Sequence, residues 1–335
     1  MNKPTKAVMS FPAVLSAVSR SVRYFDGVRF RLNGIHLRRP RAHVAFNMAF
    51  FRSAVSAVCL YTYIVGLRAS RILRGVRHDT SIAFYPQSAA PWYNIWIVSQ
   101  FAPVSITSDI KSADRIFAFE DETRVQSYPE LSEFEVARLI NHRINDISKR
   151  RVADVFKSIF RYDLDIDPAT YNGPAVCKSQ TNGVHDGVIV ECPLAPEEIK
   201  TGYAYQKLID STFNGRTSED LRISFVFGKI PVVFHKHKLI EKRFGTEYLS
   251  VDVKDAGDVF SSVEIENIIE FCREIGLDFG SIDMMRDKHD GKIYIVDVNK
   301  TCMPVLCLSL KEQNRAMRRI ADAFADGVGA GRASS

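Results

Sequence analysis

Two acidic residues and an asparagine near the C-terminal end of the chain have the types and spacing of a site for a hard cation. Asp297 and Asn299 are two residues apart in an apolar, strand-like run, so their side chains share one face. Asp283 lies in the preceding apolar run. Two carboxylates and an amide on one sheet surface form an all-oxygen site of the kind that Mg²⁺ takes when it also holds phosphates. The same three residues also fit the polar edge of an ordinary hairpin.

A predicted hairpin positions these residues. One apolar run covers residues 279–285, a second covers residues 292–298, and Asp290-Gly291 lies between them. An Asp-Gly pair between two apolar runs is a strong local signal for a β-hairpin. We therefore expect Asp283 to lie roughly opposite the other two residues on the partner strand. The type of turn decides between two registers that differ by one residue.

A glycine-containing loop earlier in the chain has residue types suited to phosphate. Residues 174–178 are a short apolar run ending in Lys178, residues 179–187 form the loop, and residues 188–192 are a second apolar run. Such a loop can lay backbone N–H groups against phosphate oxygens, although a plain hairpin turn has the same composition. The sequence lacks the spacing of a P-loop and has no G-x-G-x-x-G after a strand, so those nucleotide folds are not indicated.

Two further segments carry cationic candidates. Residues 147–160 have apolar residues at helical spacing, with Lys149 at the start of the predicted helix. Residues 220–229 alternate like a strand, so Arg222 and Ser224 share one face. A solvated lysine and an exposed strand are the ordinary alternatives for these two segments.

Taken in order, these segments resemble the ATP-grasp superfamily over residues 145–304. The hairpin resembles that superfamily's D-[ML]-[ML]-R strand, glycine turn and [ED]-V-N strand. The resemblance implies that Asp283, Asp297 and Asn299 hold Mg²⁺, with Mn²⁺ as an alternative, against the phosphates of ATP. Two features depart from the family: Asp stands at position 297 where Glu is commoner, and residues 300–304 do not match the usual small-residue loop.

The resemblance also implies a set of nucleotide-binding residues on the loop, the two strands and the helix. They are Lys149, Lys178, Ser179, Asn182, Gly183, Gln206, Lys207, Leu208 and Arg222. Lys178 and Arg222 are the implied catalytic residues, because their charges would neutralise a phosphoryl group in transfer.

A pair of histidines follows Arg222 on the predicted return strand. Alternation places His235 and His237 on one face of that strand and Lys236 and Lys238 on the other. With no cysteine or carboxylate at ligand spacing along the sequence, we interpret the histidines as non-metal residues that line the acceptor side of the site.

The implied fold is α/β with α+β lobes: an ATP-grasp fold in which two lobes clamp ATP. A small parallel α/β lobe and a basic helical N-terminal segment would precede it. The expected divisions are a basic, mostly helical segment (1–78), the small lobe (79–127), the ATP-grasp region (128–325) and a flexible tail (326–335). Predicted elements outside the catalytic region are strands at 80–85, 104–107 and 115–119 and helices at 90–100, 131–143 and 309–324.

The N-terminal segment is strongly basic. Residues 1–78 contain 14 Lys and Arg residues against one acidic residue, Asp26, while the whole chain has a net charge of +6. An apolar run at 43–67 includes Arg52, which makes a transmembrane helix costly. The remaining interpretations are a helix packed on the catalytic lobes, an amphipathic segment on an anionic membrane or a lipid-linked acceptor, and, least favoured, nucleic-acid binding.

The resemblance to the ATP-grasp superfamily implies an ATP-dependent ligase that activates a carboxylate as an acyl-phosphate for capture by an amine or thiol. The substrates would be small molecules or glycan- or lipid-linked groups. An ATP-grasp phosphotransferase and a non-catalytic binding protein remain alternatives. The six cysteines include no C-x-x-C pair, which is typical of reduced thiols in a cytoplasmic protein. The basic N-terminal segment adds peripheral association with a membrane as a further option. The sequence does not indicate an oligomeric state.

Overall fold

A computed structural model describes residues 28–31, 34–37, 42–45, 48–75, 80–184, 186–245 and 248–330. The chain divides into two compact units, residues 1–50 and 51–335. In the first unit, strands β1 (Val28–Arg31), β2 (Gly34–Leu37) and β3 (Ala42–Ala45) form an antiparallel sheet. The prediction that residues 1–78 are mostly helical is therefore wrong for these strands, whose short period-two runs favour sheet. Residues 1–27 lie outside the described part.

Helix α1 (Met48–Leu73) forms over most of the predicted apolar run. From Phe51 onward it belongs to the second unit, where Leu60 and Ile64 are buried. Its opposite side exposes large apolar residues, including Val58 and Val65. Among the described residues, no helix combines the length and the apolarity needed to cross a bilayer.

A four-stranded parallel sheet follows α1. Its elements are β4 (Thr80–Pro86), α2 (Asn94–Phe101), β5 (Val104–Ile106), β6 (Arg115–Phe119), α3 (Glu133–Val136) and β7 (Leu139–Ile140). The strand order is β5-β4-β6-β7, and all three pairings are parallel. The predicted strands and the helix in this region are present, and we call the region the first lobe.

The predicted helix at 131–143 is wrong. Ser132 and Glu135 form a capping box that starts α3, but the helix ends after Val136 because Leu139 pairs with Ile116 in the parallel sheet. Asn141 then adopts a left-handed conformation (φ 64°), and its side chain accepts hydrogen bonds from the backbone N–H groups of Asp278 and Phe279. Sheet pairing at a distance thus overrides the local helical periodicity.

The part of the chain after the first lobe contains a small and a large antiparallel sheet. Its elements are α4 (Lys149–Phe160), β8 (Gly173–Ser179), β9 (Val188–Cys192), β10 (Tyr203–Lys207), β11 (Thr212–Phe213), β12 (Thr217–Val226), β13 (Lys229–Leu239), β14 (Ser250–Lys254), α5 (Ser262–Ile275), β15 (Phe279–Arg286) and β16 (Ile293–Asn299). The small sheet has the order β10-β8-β9. The large sheet has the order β14-β13-β12-β15-β16, with β11 paired to β12. Three short 3₁₀ turns lie at Pro196–Glu198, Ile240–Lys242 and Ala256–Asp258.

One face of the large sheet forms the main hydrophobic core with helices α4 and α5. Phe156 from α4 and Phe271 from α5 are fully buried against Ile223 and Ile282 of the sheet. Because side chains alternate along a strand, the neighbours of these core residues project from the opposite face. The small sheet contacts that opposite face through β16. The mixed helices and sheets confirm the predicted α/β class.

Helix α6 (Leu310–Ala330) closes the chain. Phe324 packs edge-on against Phe279 and stacks with Phe227. The helix extends beyond the predicted end at 324, so residues through Ala330 are helical and do not belong to a flexible tail. Residues 331–335 lie outside the described part.

Candidate active site

The strands β15 and β16 bring the three predicted metal residues onto one face. Asp283 pairs directly with Asp297, and Ser281 pairs with Asn299. The register shifts between Asp283 and Met284. Asp283 and Asp297 project from one face of the sheet, and the core residues next to them in the sequence project from the other face. Two carboxylates and one amide oxygen are a donor set that suits Mg²⁺.

Asp283 is held by two cationic side chains. Arg222 makes a bidentate ion pair with Asp283, in which Nε donates to Oδ1 at 2.8 Å and Nη2 donates to Oδ2 at 2.5 Å. Lys236 Nζ donates to Oδ1 at 2.9 Å. The Asp283 side chain is 16% exposed and that of Lys236 is 3% exposed. Burial alone would raise the pKa of Asp283, but the charges of Arg222 and Lys236 outweigh it and hold that pKa well below its usual range.

Asp297 is paired with the lysine at the start of α4. Lys149 Nζ lies 2.5 Å from Asp297 Oδ1, and the lysine side chain is 6% exposed. The structure therefore buries a residue that its helix-start position would ordinarily leave in solvent. Ser148 caps the helix by accepting from the Arg151 N–H, which places Lys149 in the first turn with its side chain toward β16.

Two asparagine amides link these ion pairs. Asn182, in the loop between β8 and β9, accepts from Lys149 Nζ at 3.3 Å and donates to Asn299 Oδ1 at 3.0 Å. Asn299 in turn donates to Asp283 Oδ2 at 3.3 Å. The loop of the small sheet and the hairpin of the large sheet are thus joined in one polar network around the two carboxylates.

Lys178 reaches the same place from the end of β8. Its Nζ donates to the Val296 carbonyl at 3.2 Å. Burial, and then the nearby charge of Lys149, lowers the pKa of Lys178 to about 8, against partial compensation from Asp297. Partial burial and the neighbouring Lys149 make the charged form of Lys178 less favourable, and a bound anion would stabilise that form.

The pKa of Lys178 makes a prediction about folding stability. The pKa of this lysine is about 8 in the folded chain and near the ordinary lysine value of 10.5 when unfolded, so the unfolded chain binds more protons between these limits. Relative to a Lys178→Met variant, the wild type is expected to gain stability as pH rises from 8 toward 10.5, by up to about 1.4 kcal/mol per pH unit. Urea unfolding of both proteins across this range measures the difference. A constant difference would mean that this lysine is not desolvated.

Side-chain oxygens, two from the loop itself and one from Thr123, accept hydrogen bonds from backbone N–H groups of the loop at 179–187. The backbone N–H of Ser179 donates to Asp186, that of Thr181 to Ser179 Oγ, and that of Asn182 to Thr123 Oγ1. Gly183 takes a positive φ of 74°, which a turn at this position requires. The expected cradle of free N–H groups is therefore not formed at these three residues, and phosphate binding through them requires the loop to change its hydrogen bonds.

Of the three residues predicted to contact adenine, Gln206, Lys207 and Leu208, only the last two line a cavity. Lys207 and Leu208 line a cavity of about 370 Å³ together with residues that include Asp287. Gln206 turns away and is buried, donating to Asp165 at 2.8 Å. Burial raises the pKa of Asp165 to about 6, opposed by that hydrogen bond.

The interpretation that His235 and His237 line the site is wrong, because they lie on the face of the sheet opposite Asp283. Glu219, His235 and His237 share one face of β12 and β13, the face that carries Leu221 of the core, while Lys236 faces Asp283. Lys236 is thus a site residue that the sequence analysis passed over. The signal was available, because alternation had already placed the lysines on the face opposite the histidines.

The loop after the hairpin is attached to the first lobe. Thr301 Oγ1 donates to Asp121 Oδ1 at 2.6 Å, and Tyr93 donates to Asp121 Oδ2 at 2.7 Å. The Asn94 backbone N–H donates to the Cys302 carbonyl at 2.8 Å. The segment that departs from the family pattern is therefore positioned by the parallel sheet.

Comparisons with known proteins give structural but no sequence matches. No protein-family model matches the chain, and neither does any curated protein. The ATP-grasp ligase PsnB, solved with its precursor peptide PsnA2 and AMPPNP, aligns over 76% of this chain and 98% of its own, at 10% identity and a TM-score of 0.47. In another PsnB complex the match covers 61% of the PsnB chain, at a TM-score of 0.37.

Two other structures show similar likeness. The Bacillus anthracis D-alanine–D-alanine ligase complexed with ATP aligns over 77% of this chain and 99% of its own, at 12% identity and a TM-score of 0.43. The macrocyclase MdnC from Microcystis aeruginosa, bound with its precursor peptide MdnA, aligns over 73% and 99%, at 11% identity and a TM-score of 0.41. Because these scores and identities are low, the roles proposed below rest on the residues of this chain. The solved structures that share this likeness include ATP-grasp ligases, and the superfamily resemblance of the sequence stays a prediction.

Proposed function

We propose that this chain is an ATP-dependent ligase of ATP-grasp type that activates a carboxylate and joins it to an amine or thiol. The observation that carries the proposal is the hairpin pair Asp283 and Asp297, with Asn299, surrounded by four cationic side chains from four different elements. The cations are Lys149, Lys178, Arg222 and Lys236. A site with more positive than negative groups suits a polyphosphate and its metal ion, whereas a plain structural ion-pair network would be balanced.

The proposed roles follow from the contacts. Asp283, Asp297 and Asn299 would hold Mg²⁺, which when bound would supply positive charge against the phosphates of ATP. Lys178 and Arg222 would neutralise the charge that develops on the transferred phosphoryl group, and Lys149 would bind a phosphate from the opposite side. Arg222 and Lys149, which now pair with Asp283 and Asp297, would have to release these carboxylates for a metal ion and would then be free to contact the phosphates. Positioning and electrostatics account for nearly all of the rate in such a transfer.

The nucleotide base would lie on the strand that leads to the large sheet. Lys207 and Leu208 line the cavity beside it, and the backbone of residues 206–208 is the proposed adenine contact. Ser179, Asn182 and Gly183 would cover the phosphates once the loop exchanges its internal hydrogen bonds for bonds to ligand. The acceptor would bind toward the first lobe, beside the loop that begins at Lys300.

Nucleotide binding tests the first half of this proposal. Calorimetry with Mg-ATP is expected to show metal-dependent binding that EDTA abolishes and that an Asp297→Asn, Asn299→Ala variant loses. Asp163→Asn, which changes an exposed carboxylate outside the site, is the matched control. Equal binding by the double variant and the wild type would overturn the site assignment.

Product analysis separates the ligase from its alternatives. A ligase releases ADP and free phosphate only when a carboxylate and an acceptor are both present. A phosphotransferase releases ADP without free phosphate and leaves a stable phosphorylated product, and a non-catalytic protein shows no Mg²⁺-dependent turnover. Screens should include amino acids, peptides and lipid- or glycan-linked carboxylates, since the residues do not discriminate among these.

We also propose that helix α1 brings the protein to an anionic membrane surface. Its exposed apolar residues recur at intervals of three, four and seven along one side, at Phe51, Val55, Val58, Val65 and Ile72. Val65 and Ile72 are 66% and 76% exposed, and Arg68 and Arg74 beside them are also exposed. Apolar side chains flanked by arginines are typical of helices that lie in the lipid interface.

Vesicle binding tests the membrane proposal. We expect the protein to sediment with vesicles that contain anionic lipid, less so as salt increases, and to remain free of neutral vesicles. A Val58→Ser, Val65→Ser variant should lose most of the binding with little loss of stability, since both side chains are already exposed. Equal recovery with neutral and anionic vesicles at low salt would contradict the proposal.

A further inference from the structure

A second group of metal-ligating side chains lies on the large sheet, away from the hairpin site. Glu219 on β12 pairs directly with His237 on β13, and His235 comes two residues earlier on the same face of β13. This is the face opposite Asp283 and Arg222, at the end of the sheet beyond the core residue Leu221. The proposed ligase mechanism makes no use of this group.

The donor atoms converge on one point. His235 Nε2 lies 3.0 Å and His237 Nδ1 lies 3.9 Å from the same oxygen, Glu219 Oε1. One ligand atom from each of the three residues falls within 4.8 Å of the others. Ligands of a tetrahedral Zn²⁺, each at about 2.1 Å, are separated by roughly 3.4 Å, so the two observed distances bracket that value. A bound ion therefore requires side-chain rotations and no movement of the strands.

The surroundings are those of a site that can both admit and retain an ion. The three side chains are 15% to 31% exposed, so they are partly shielded but reachable. Phe213 on β11 packs against the His237 ring at a centroid distance of 5.7 Å. Asp252 on β14 has Oδ2 3.7 Å from His237 Nε2, close to the place of the outer carboxylate that orients a ligating imidazole.

Only one of the two imidazoles is within hydrogen-bond distance of the carboxylate: His235 Nε2 is 3.0 Å from Glu219 Oε1, whereas His237 Nδ1 is 3.9 Å from it. The two ring centroids are 4.6 Å apart. A cation between the three side chains gives each nitrogen and the oxygen a partner. Nitrogen-rich donor sets favour Zn²⁺ and its neighbours in the first transition row over Mg²⁺.

The geometry points to a transition-metal site, best suited to Zn²⁺, formed by Glu219, His235 and His237. Three protein ligands leave a fourth position for water, for Asp252 after a rotamer change, or for an external ligand. The ion would link β12 to β13, and through Asp252 to β14, the edge strand of the large sheet.

Metal titration of the whole chain tests this site. After removal of metal with EDTA and dialysis, Co²⁺ added in the presence of excess Mg²⁺ is expected to give the visible absorption of a tetrahedral nitrogen–oxygen site, and Zn²⁺ should displace it at one equivalent. Excess Mg²⁺ keeps the hard hairpin site from contributing. Absence of both the Co²⁺ spectrum and Zn²⁺ binding in the wild type would overturn the proposal.

Variants assign the binding to these residues. His235→Gln and Glu219→Gln should each weaken Zn²⁺ binding at least ~10-fold, since even outer-sphere changes have effects of that size. His289→Ala, which changes an exposed histidine paired with Asp210 elsewhere, should bind as the wild type does. Zn²⁺ should raise the melting temperature of the wild type and of His289→Ala only. Unchanged affinity in both site variants, or an equal loss in His289→Ala, would contradict the assignment.

These outcomes are independent of the ligase proposal. The Glu219→Gln variant should retain Mg-ATP binding, because its side chain projects from the face opposite the hairpin site. Loss of Zn²⁺ binding together with intact nucleotide binding would support two separate sites on the two faces of one sheet.

Discussion

Asp283→Asn is expected to destabilise the fold and to abolish Mg²⁺-dependent turnover. The substitution removes the charge that compensates both Arg222 and Lys236, and the latter is almost fully buried. Breaking a buried ion pair by removal of one partner costs about 3–5 kcal/mol. Urea unfolding measures the loss of stability, and ADP release with the identified substrates measures the loss of turnover.

A compensating change separates the two effects. In Asp283→Asn with Lys236→Met, one of the two uncompensated cations is gone, and the free energy of unfolding should recover by more than half of what the single variant loses. Turnover should not recover, because the proposed metal ligand is still absent. If the single variant is as stable as the wild type, the ion pairs of Asp283 do not contribute to the free energy of unfolding as expected. If the double variant turns over ATP, Asp283 is not a required metal ligand.

Lys178→Met is expected to weaken Mg-ATP binding about 10- to 100-fold while leaving the fold at least as stable at pH 7. The physical reason is that Lys178 is charged but buried beside another lysine, which lowers its pKa to about 8, so its charge is unfavourable until an anion arrives. A hydrogen bond to a charged group contributes about 1.5–3 kcal/mol, which sets the expected loss of affinity. Methionine keeps most of the volume and removes the charge.

The matched control for this variant is Lys157→Met. Lys157 is exposed and pairs at the surface with Asp163, so its replacement should leave both nucleotide binding and stability close to those of the wild type. Calorimetry with Mg-ATP and urea unfolding of the three proteins give both quantities. A Lys178→Met protein that binds nucleotide normally would remove this lysine from the proposed site.

The local parts of this structure could be predicted from the sequence, because they depend on neighbours in the chain. The Asp-Gly turn and two apolar runs indicated the hairpin, which forms as Phe279–Arg286 and Ile293–Asn299. The strand at Arg115–Phe119 has the predicted bounds, and the helix that carries Lys149 begins at that lysine.

The rest depends on pairings between distant segments. Leu139 joins a parallel sheet through Ile116, which no local periodicity reveals, and a predicted helix is lost there. The partner of Lys236 is a carboxylate 47 positions away, and Glu219 meets the histidines only through the register of β12 and β13. Such partners follow from the sheet order, which a single sequence does not specify.

The attachment of the loop after Asn299 to the first lobe bears on how this protein can diversify. Asp121 accepts from both Tyr93 and Thr301, so Thr301 and the first lobe are matched to each other at specific atoms. A recombination event that replaced the parallel sheet alone would separate Thr301 from its acceptor. A change of substrate specificity should therefore require that the first lobe and the loop after Asn299 are exchanged together. A chimaera that takes both segments from the same parent should fold better than one that takes them from different parents.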